Sequence, residues 1–157
     1  SEEFLNILTE CCIKDYPYTP FADAFHTMRS MLLPVLYLMG SEVPKADVYH
    51  AICTGYGGLL ACLGGHVYKK KVLLTEHGIY TREREEEIIR AKWVQPAFKK
   101  QWISFFYMLS DIIYTRAFLV SALFTNAMHA QIQMGCDKGK CRVVENGINY
   151  ERLSLFH

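Results

Sequence analysis

Three short stretches hold residue types able to do chemistry. In Thr75-Glu76-His77-Gly78 a carboxylate, an imidazole and a flexible residue stand directly behind the apolar run Val72-Leu73-Leu74. An imidazole so placed can donate, accept or ligate. Thr54-Gly55-Tyr56-Gly57-Gly58 is a glycine-rich turn, where a ligand can approach the backbone and a following helix offers free N–H groups to an anion or a sugar hydroxyl. Asn146-Gly147-Ile148-Asn149 is a third polar turn near the end of the chain. Each also has a plainer reading: a structural histidine, a Glu76 ion pair with a neighbouring Arg or Lys, a tight connection packing helix on strand, and an ordinary Asn-Gly turn. Residue types alone leave both readings open.

Other features read as structure. Arg82-Glu83-Arg84-Glu85-Glu86-Glu87 spaces opposite charges for a solvated helix face. Trp93, Trp102, Phe105, Phe106 and Tyr107 recur at helical spacing and are expected in the core rather than as a stacking platform. His26, His50, His66, His129 and His157 share no metal-ligand spacing. No Ser-His-Asp, G-x-S-x-G, H-E-x-x-H or paired-carboxylate arrangement is present.

The elements that must position these residues follow from periodicity. Helices are expected over 3–13 and 20–39, the second with Thr19 as N-cap, Pro20 at its first position, Pro34 inside and Gly40 as its stop. Strands are expected at 46–52, 71–77, 118–123 and 141–146. Between them come helices after the glycine turn, over 82–94 and 98–117, and over 125–135. Strand alternating with helix at this spacing means βαβ units and a parallel sheet, so the fold class is α/β, doubly wound. Residues 1–45 form a helical segment, and 46–157 form Rossmann-like strands and helices of the same partial domain. A sheet that begins late beside so much helix suggests part of a larger domain, and its unpaired edge invites a second copy.

Composition narrows the class. A chain of 157 residues, 51% of them hydrophobic, is one domain's worth with a packed core. A net charge of +1 recommends neither nucleic acid nor an anionic membrane. Six cysteines without C-x-x-C spacing read as reduced thiols, mostly in the core. No secretory leader pattern and no apolar run of spanning length appear, which points to a cytosolic protein.

The blocks MRSMLLPVLYLMG, ADVYHAICTGYGGLLA, VLLTEHGIYTREREEEI, QWISFFYMLSDIIY and RVVENGINYERL together resemble the PelF-type glycosyltransferases of Pel exopolysaccharide assembly. The resemblance runs from about Pro20 to the end, with TEHGIYTRER as its most specific element. It implies a cytoplasmic, retaining enzyme of GT-B architecture, with two Rossmann-like domains facing a cleft. Such enzymes transfer sugar from a nucleotide-sugar, usually a UDP-sugar, to a glycan acceptor without metal or cofactor, and contact inner-membrane Pel proteins. By resemblance His77 lines the cleft near the transferred sugar as the catalytic candidate, with Glu76 and Gly78 shaping its turn. Thr54, Gly55, Tyr56, Gly57 and Gly58 face the same cleft, Arg82 and Arg84 reach acceptor or phosphate, and Asn146 and Gly147 lead toward the second domain. Asn149 stands where the family usually has Asp. The glycine-rich first strands and the whole second domain have no counterpart here, so the segment is expected to be inactive alone. The competing expectation is a non-catalytic binding or scaffold module.

Overall fold

A computed structural model describes residues 2–147 and Ser154. Two helices come first, α1 (Glu2–Asp15) and α2 (Phe21–Met39). There follow β1 (Val48–Ala51), α3 (Tyr56–Tyr68), β2 (Lys71–Glu76), α4 (Tyr80–Arg90), α5 (Lys99–Arg116), β3 (Leu119–Ala122), α6 (Thr125–Gln133) and β4 (Cys141–Val143). The α2 N-cap is Pro20 rather than Thr19: its carbonyl accepts from Asp23 N–H at 3.0 Å, and no side chain caps the helix. Helix α2 continues through Pro34 and stops at Gly40.

All strands are parallel, in the order β1-β2-β3-β4. The α/β class and the parallel sheet with flanking helices stand, but the winding is single, a correction to the doubly wound expectation. A doubly wound sheet reverses its strand order. Here every crossover steps the same way, and right-handed crossovers then place every connecting helix on one face. Burial agrees. Tyr49, Ala51, Val72, Leu74, Val120 and Cys141 share a face and pack with Cys62 of α3, Ile113, Tyr114 and Ala117 of α5, and partly buried Met128 and Ile132 of α6. The opposite face presents exposed Val48, His50, Lys71 and Arg142 and half-buried Leu73, Thr75 and Leu119.

That open face is unusual, because parallel sheets are almost always covered on both sides. It carries a polar row across three strands: His50 Nε2 lies 2.9 Å from Thr75 Oγ1, which lies 2.7 Å from Ser121 Oγ. Beside it the Lys71 ammonium sits 3.7 Å from the centre of the Phe118 ring.

A second apolar cluster lies outside the sheet, between helices. Leu8 and Cys12 of α1, Ala24 and Met31 of α2 and Ile88 of α4 close on Trp102, Phe105, Phe106 and Leu109 of α5. Each large side chain buried this fully stabilises the fold by about 1.5–3 kcal/mol. Helix α4 ends at Arg90, short of the expected 94, because the backbone turns extended at Ala91. Trp93 therefore leaves the helix and is 66% exposed, which corrects its expected place in the core. Tyr107 is half-buried, while Trp102, Phe105 and Phe106 are buried as expected.

Candidate functional site

Three βα units end their strands at the same edge, so three loops and three helix starts gather there. Register places Glu76 of β2 beside Ala122 of β3, and Ala122 beside Val143 of β4. The N-caps of α3, α4 and α6 are Gly55, Ile79 and Phe124, and none makes a side-chain cap bond. The first intrahelical donors are Leu59, Glu83 and Met128, which leaves the preceding N–H groups without intrahelical acceptors.

The glycine turn is built for close approach. Thr54, Gly55 and Gly58 are buried, Tyr56 is half-buried and Gly57 is exposed. Gly55 has φ +87°, and a Cβ there would lie 2.7 Å from the Tyr80 ring. A Cβ at Gly58 would meet Ile113 Cδ1 at 2.6 Å and the Cys53 carbonyl at 3.0 Å. Thr54 Oγ1 accepts from Ser110 at 2.8 Å, so that hydroxyl faces α5. Most of this turn therefore seats α3 against α5 and α4. Gly58→Ala is expected to lower stability by about 1–3 kcal/mol through overpacking, read as a drop in urea midpoint at unchanged slope. An unchanged midpoint would show that Ile113 yields without cost.

Glu76 is the last residue of β2, and His77 follows in the bend beyond it. Glu76 is 1% exposed and lies on the helix-covered side. Its Oε2 accepts from Tyr114 Oη at 2.7 Å and from Gln131 Nε2 at 3.0 Å. Its Oε1 and the Gln131 Oε1 have no partner among the described residues. Burial pushes the Glu76 carboxyl above the ordinary glutamate value. The bonds from Tyr114 and Gln131, with the nearby Tyr80 N–H and Thr54 hydroxyl, pull it back only in part. No ion pair with Arg or Lys forms at Glu76 among the described residues.

His77 and Gly78 are exposed. No hydrogen bond or ion pair among the described residues engages the imidazole. Arg82 is exposed. Arg84 is half-buried, its guanidinium carbon 5.4 Å from the centre of the Tyr80 ring and its Nη1 2.5 Å from Glu87 Oε2. Asn146 and Gly147 are exposed just beyond β4. Ile148 and Asn149 lie outside the described residues.

Nothing in the sequence pattern singles out Tyr114, Gln131 and Ser110, the buried partners of Glu76 and Thr54. Each sits inside a helix whose pattern reads as ordinary packing. Nor did it show that Cys136 and Cys141, both buried and both free thiols, touch at 3.4 Å. Among the described residues no group of three or more His, Cys, Asp or Glu side chains could hold a metal ion, and no helix is long and apolar enough to cross a membrane.

A parallel sheet with connecting helices, whose loops and helix starts meet at the carboxyl edge of the strands, defines a Rossmann-like α/β unit; in open sheets of this kind ligands bind beyond that edge. The family follows from the sequence: residues 1–139 match the model of a domain of unknown function, DUF3492, and the chain belongs to that family. This domain is found in glycosyltransferase-like proteins. No curated protein matches the chain.

Proposed function

We propose that the chain is the acceptor-side part of a retaining, PelF-type glycosyltransferase of the GT-B architecture, working in the cytoplasm on a UDP-sugar and an exopolysaccharide acceptor. The observation that carries the reading is the rim at the end of β2. There an exposed His77 with a free imidazole stands over a buried Glu76, beside helix starts with no side-chain caps. The exposed rim supplies one wall, and the proposed cleft takes its other wall from a facing lobe. His77 contacts the sugar being transferred, and Glu76 and Gly78 set the turn that presents it. The α3 and α4 starts offer N–H groups to hydroxyl or phosphate oxygens, and Arg82 reaches outward toward the same ligands. Asn146 and Gly147 carry the chain toward the facing lobe. Groups that hold the diphosphate are assigned to that lobe. Inner-membrane Pel proteins are the natural partners of such an enzyme.

The test uses the parent protein with a set of UDP-hexoses and a glycan acceptor, scoring UDP release and the anomeric configuration of the product. Transfer with retention is expected from the parent, and neither turnover nor saturable calorimetric binding of UDP-sugar from the 157-residue chain. Parent protein inert toward every UDP-hexose, or tight UDP binding by this chain alone, would overturn the reading.

A second reading, a binding or scaffold module, draws on the open sheet face with its His50-Thr75-Ser121 row. It requires self-association or a bound partner. A stable monomer in sedimentation, with the parent active, would dispose of it.

A further inference from the structure

Trp93 stands exposed on a prepared base. Its ring meets Trp102 edge-on, with centroids 5.8 Å apart at 81°. Trp102 is 8% exposed and stacks on Phe106 at 5.8 Å and 28°. The outer indole is thus held by a buried aromatic ladder, so little rotamer freedom remains to be lost when a ligand covers it.

Beside it, between the first turns of α2 and the loop after α4, lies a cavity of about 200 Å³, the size of one sugar ring. Its polar lining comes from Asp23, His26, Thr27, Ser30 and Gln95. Among the described residues only Ser30 spends its side chain locally, donating to the His26 carbonyl at 2.8 Å. Among the described residues the side chains of Asp23, Thr27 and Gln95 make no hydrogen bond or ion pair and stay available as acceptors and donors, and the His26 ring only edges against Phe25.

The lining selects a ligand class. No Lys or Arg borders the cavity, so a phosphate or nucleotide diphosphate finds no counter-charge. Asp23 is the single carboxylate there. The carboxylates across Trp93 on α4 include Glu86 and Glu87, which are already paired with Arg90 and Arg84, so a cation gains little. A purely apolar ligand would leave the polar side chains desolvated. A pyranose has an apolar C–H face for the indole and a rim of hydroxyls that both donate and accept, which matches this mixture. We infer that this cavity is a carbohydrate subsite, taking one pyranose ring of a neutral glycan against Trp93. It is distinct from the His77 rim and does not depend on the rim being a transferase site.

The test is a titration of the 157-residue chain with maltohexaose and with cellohexaose, followed by tryptophan fluorescence and calorimetry. Saturable binding of at least one is expected. Trp93→Ala, at an exposed position, should weaken it about tenfold or more, the scale of one lost aromatic face. Thr27→Val should weaken it less, and His77→Ala should leave it unchanged. Melting curves matching wild type establish that each variant is folded. The inference fails if neither hexasaccharide binds, if Trp93→Ala binds them as wild type does, or if choline chloride displaces them by taking the same place.

Discussion

On the transferase reading proposed above, replacing His77 with alanine in the parent protein is expected to lower sugar transfer by about two to four orders of magnitude, the range for a group that handles a proton or developing charge at the reacting centre, and to leave the fold untouched. The second half of that expectation comes from the geometry. The imidazole is exposed and makes no bond to the rest of the described chain, so its loss should shift stability by less than about 0.5 kcal/mol. A structural histidine at the end of a buried strand would behave the opposite way, with stability falling and activity following it down. The two are separated by measuring the melting curve and initial transfer rates on the same preparations. Near-normal turnover would remove His77 from the site. A large fall in stability would return it to the structural role that residue type alone allows. Replacing Arg82, exposed on the first turn of α4, offers a milder companion, because a charge on the rim bears more on binding than on the chemical step.

How far the sequence leads depends on whether an element is set locally. Lys71–Glu76 and Leu119–Ala122 are compact apolar runs between turn signals, and the strands fall within two residues of where the pattern puts them. Helix α5 announces itself over 98–117 by aromatic spacing and forms over Lys99–Arg116. Strand order is different in kind. Nothing in a β-strand's own residues states which neighbour it pairs with, so single winding was invisible. The alternation in β1 does hint at an open face, since Tyr49 and Ala51 are buried while Val48 and His50 are not.

The site divides in the same way. The motif around His77 is contiguous, and its position after a strand is legible. The role of Glu76 is not, because its partners Tyr114 and Gln131 stand 38 and 55 residues away and arrive through packing. Trp93 fails for a third reason. Periodicity counted it as one more position of a continuing helix, whereas the chain leaves the helix at Ala91 and swings the indole outward.

The buried carboxyl supplies the other large effect, and its sign can be worked out. Glu76 holds its proton to higher pH in the folded chain than in the unfolded one, where the value is about 4.3. Across that window folding takes up a proton, so the stabilisation is complete below the unfolded value and is lost as pH rises through the folded one. Glu76→Gln keeps the shape and the acceptor oxygen for Tyr114 and Gln131 but never ionises. Its amide nitrogen also replaces the unpartnered Glu76 Oε1 and brings a donor into a pocket where Gln131 Oε1 has none. The variant should match wild type near pH 4 and exceed it by about 1–3 kcal/mol at pH 8, the cost of a poorly satisfied buried charge. Glu76→Ala should instead be less stable near pH 4, because it strands the Tyr114 hydroxyl and the Gln131 amide. Urea midpoints for the three proteins across pH 4–8 decide the matter. A wild-type and glutamine pair that stays parallel across that range would mean that the carboxyl ionises normally. The rim would then rest on a buried negative charge rather than on the neutral acid that burial favours.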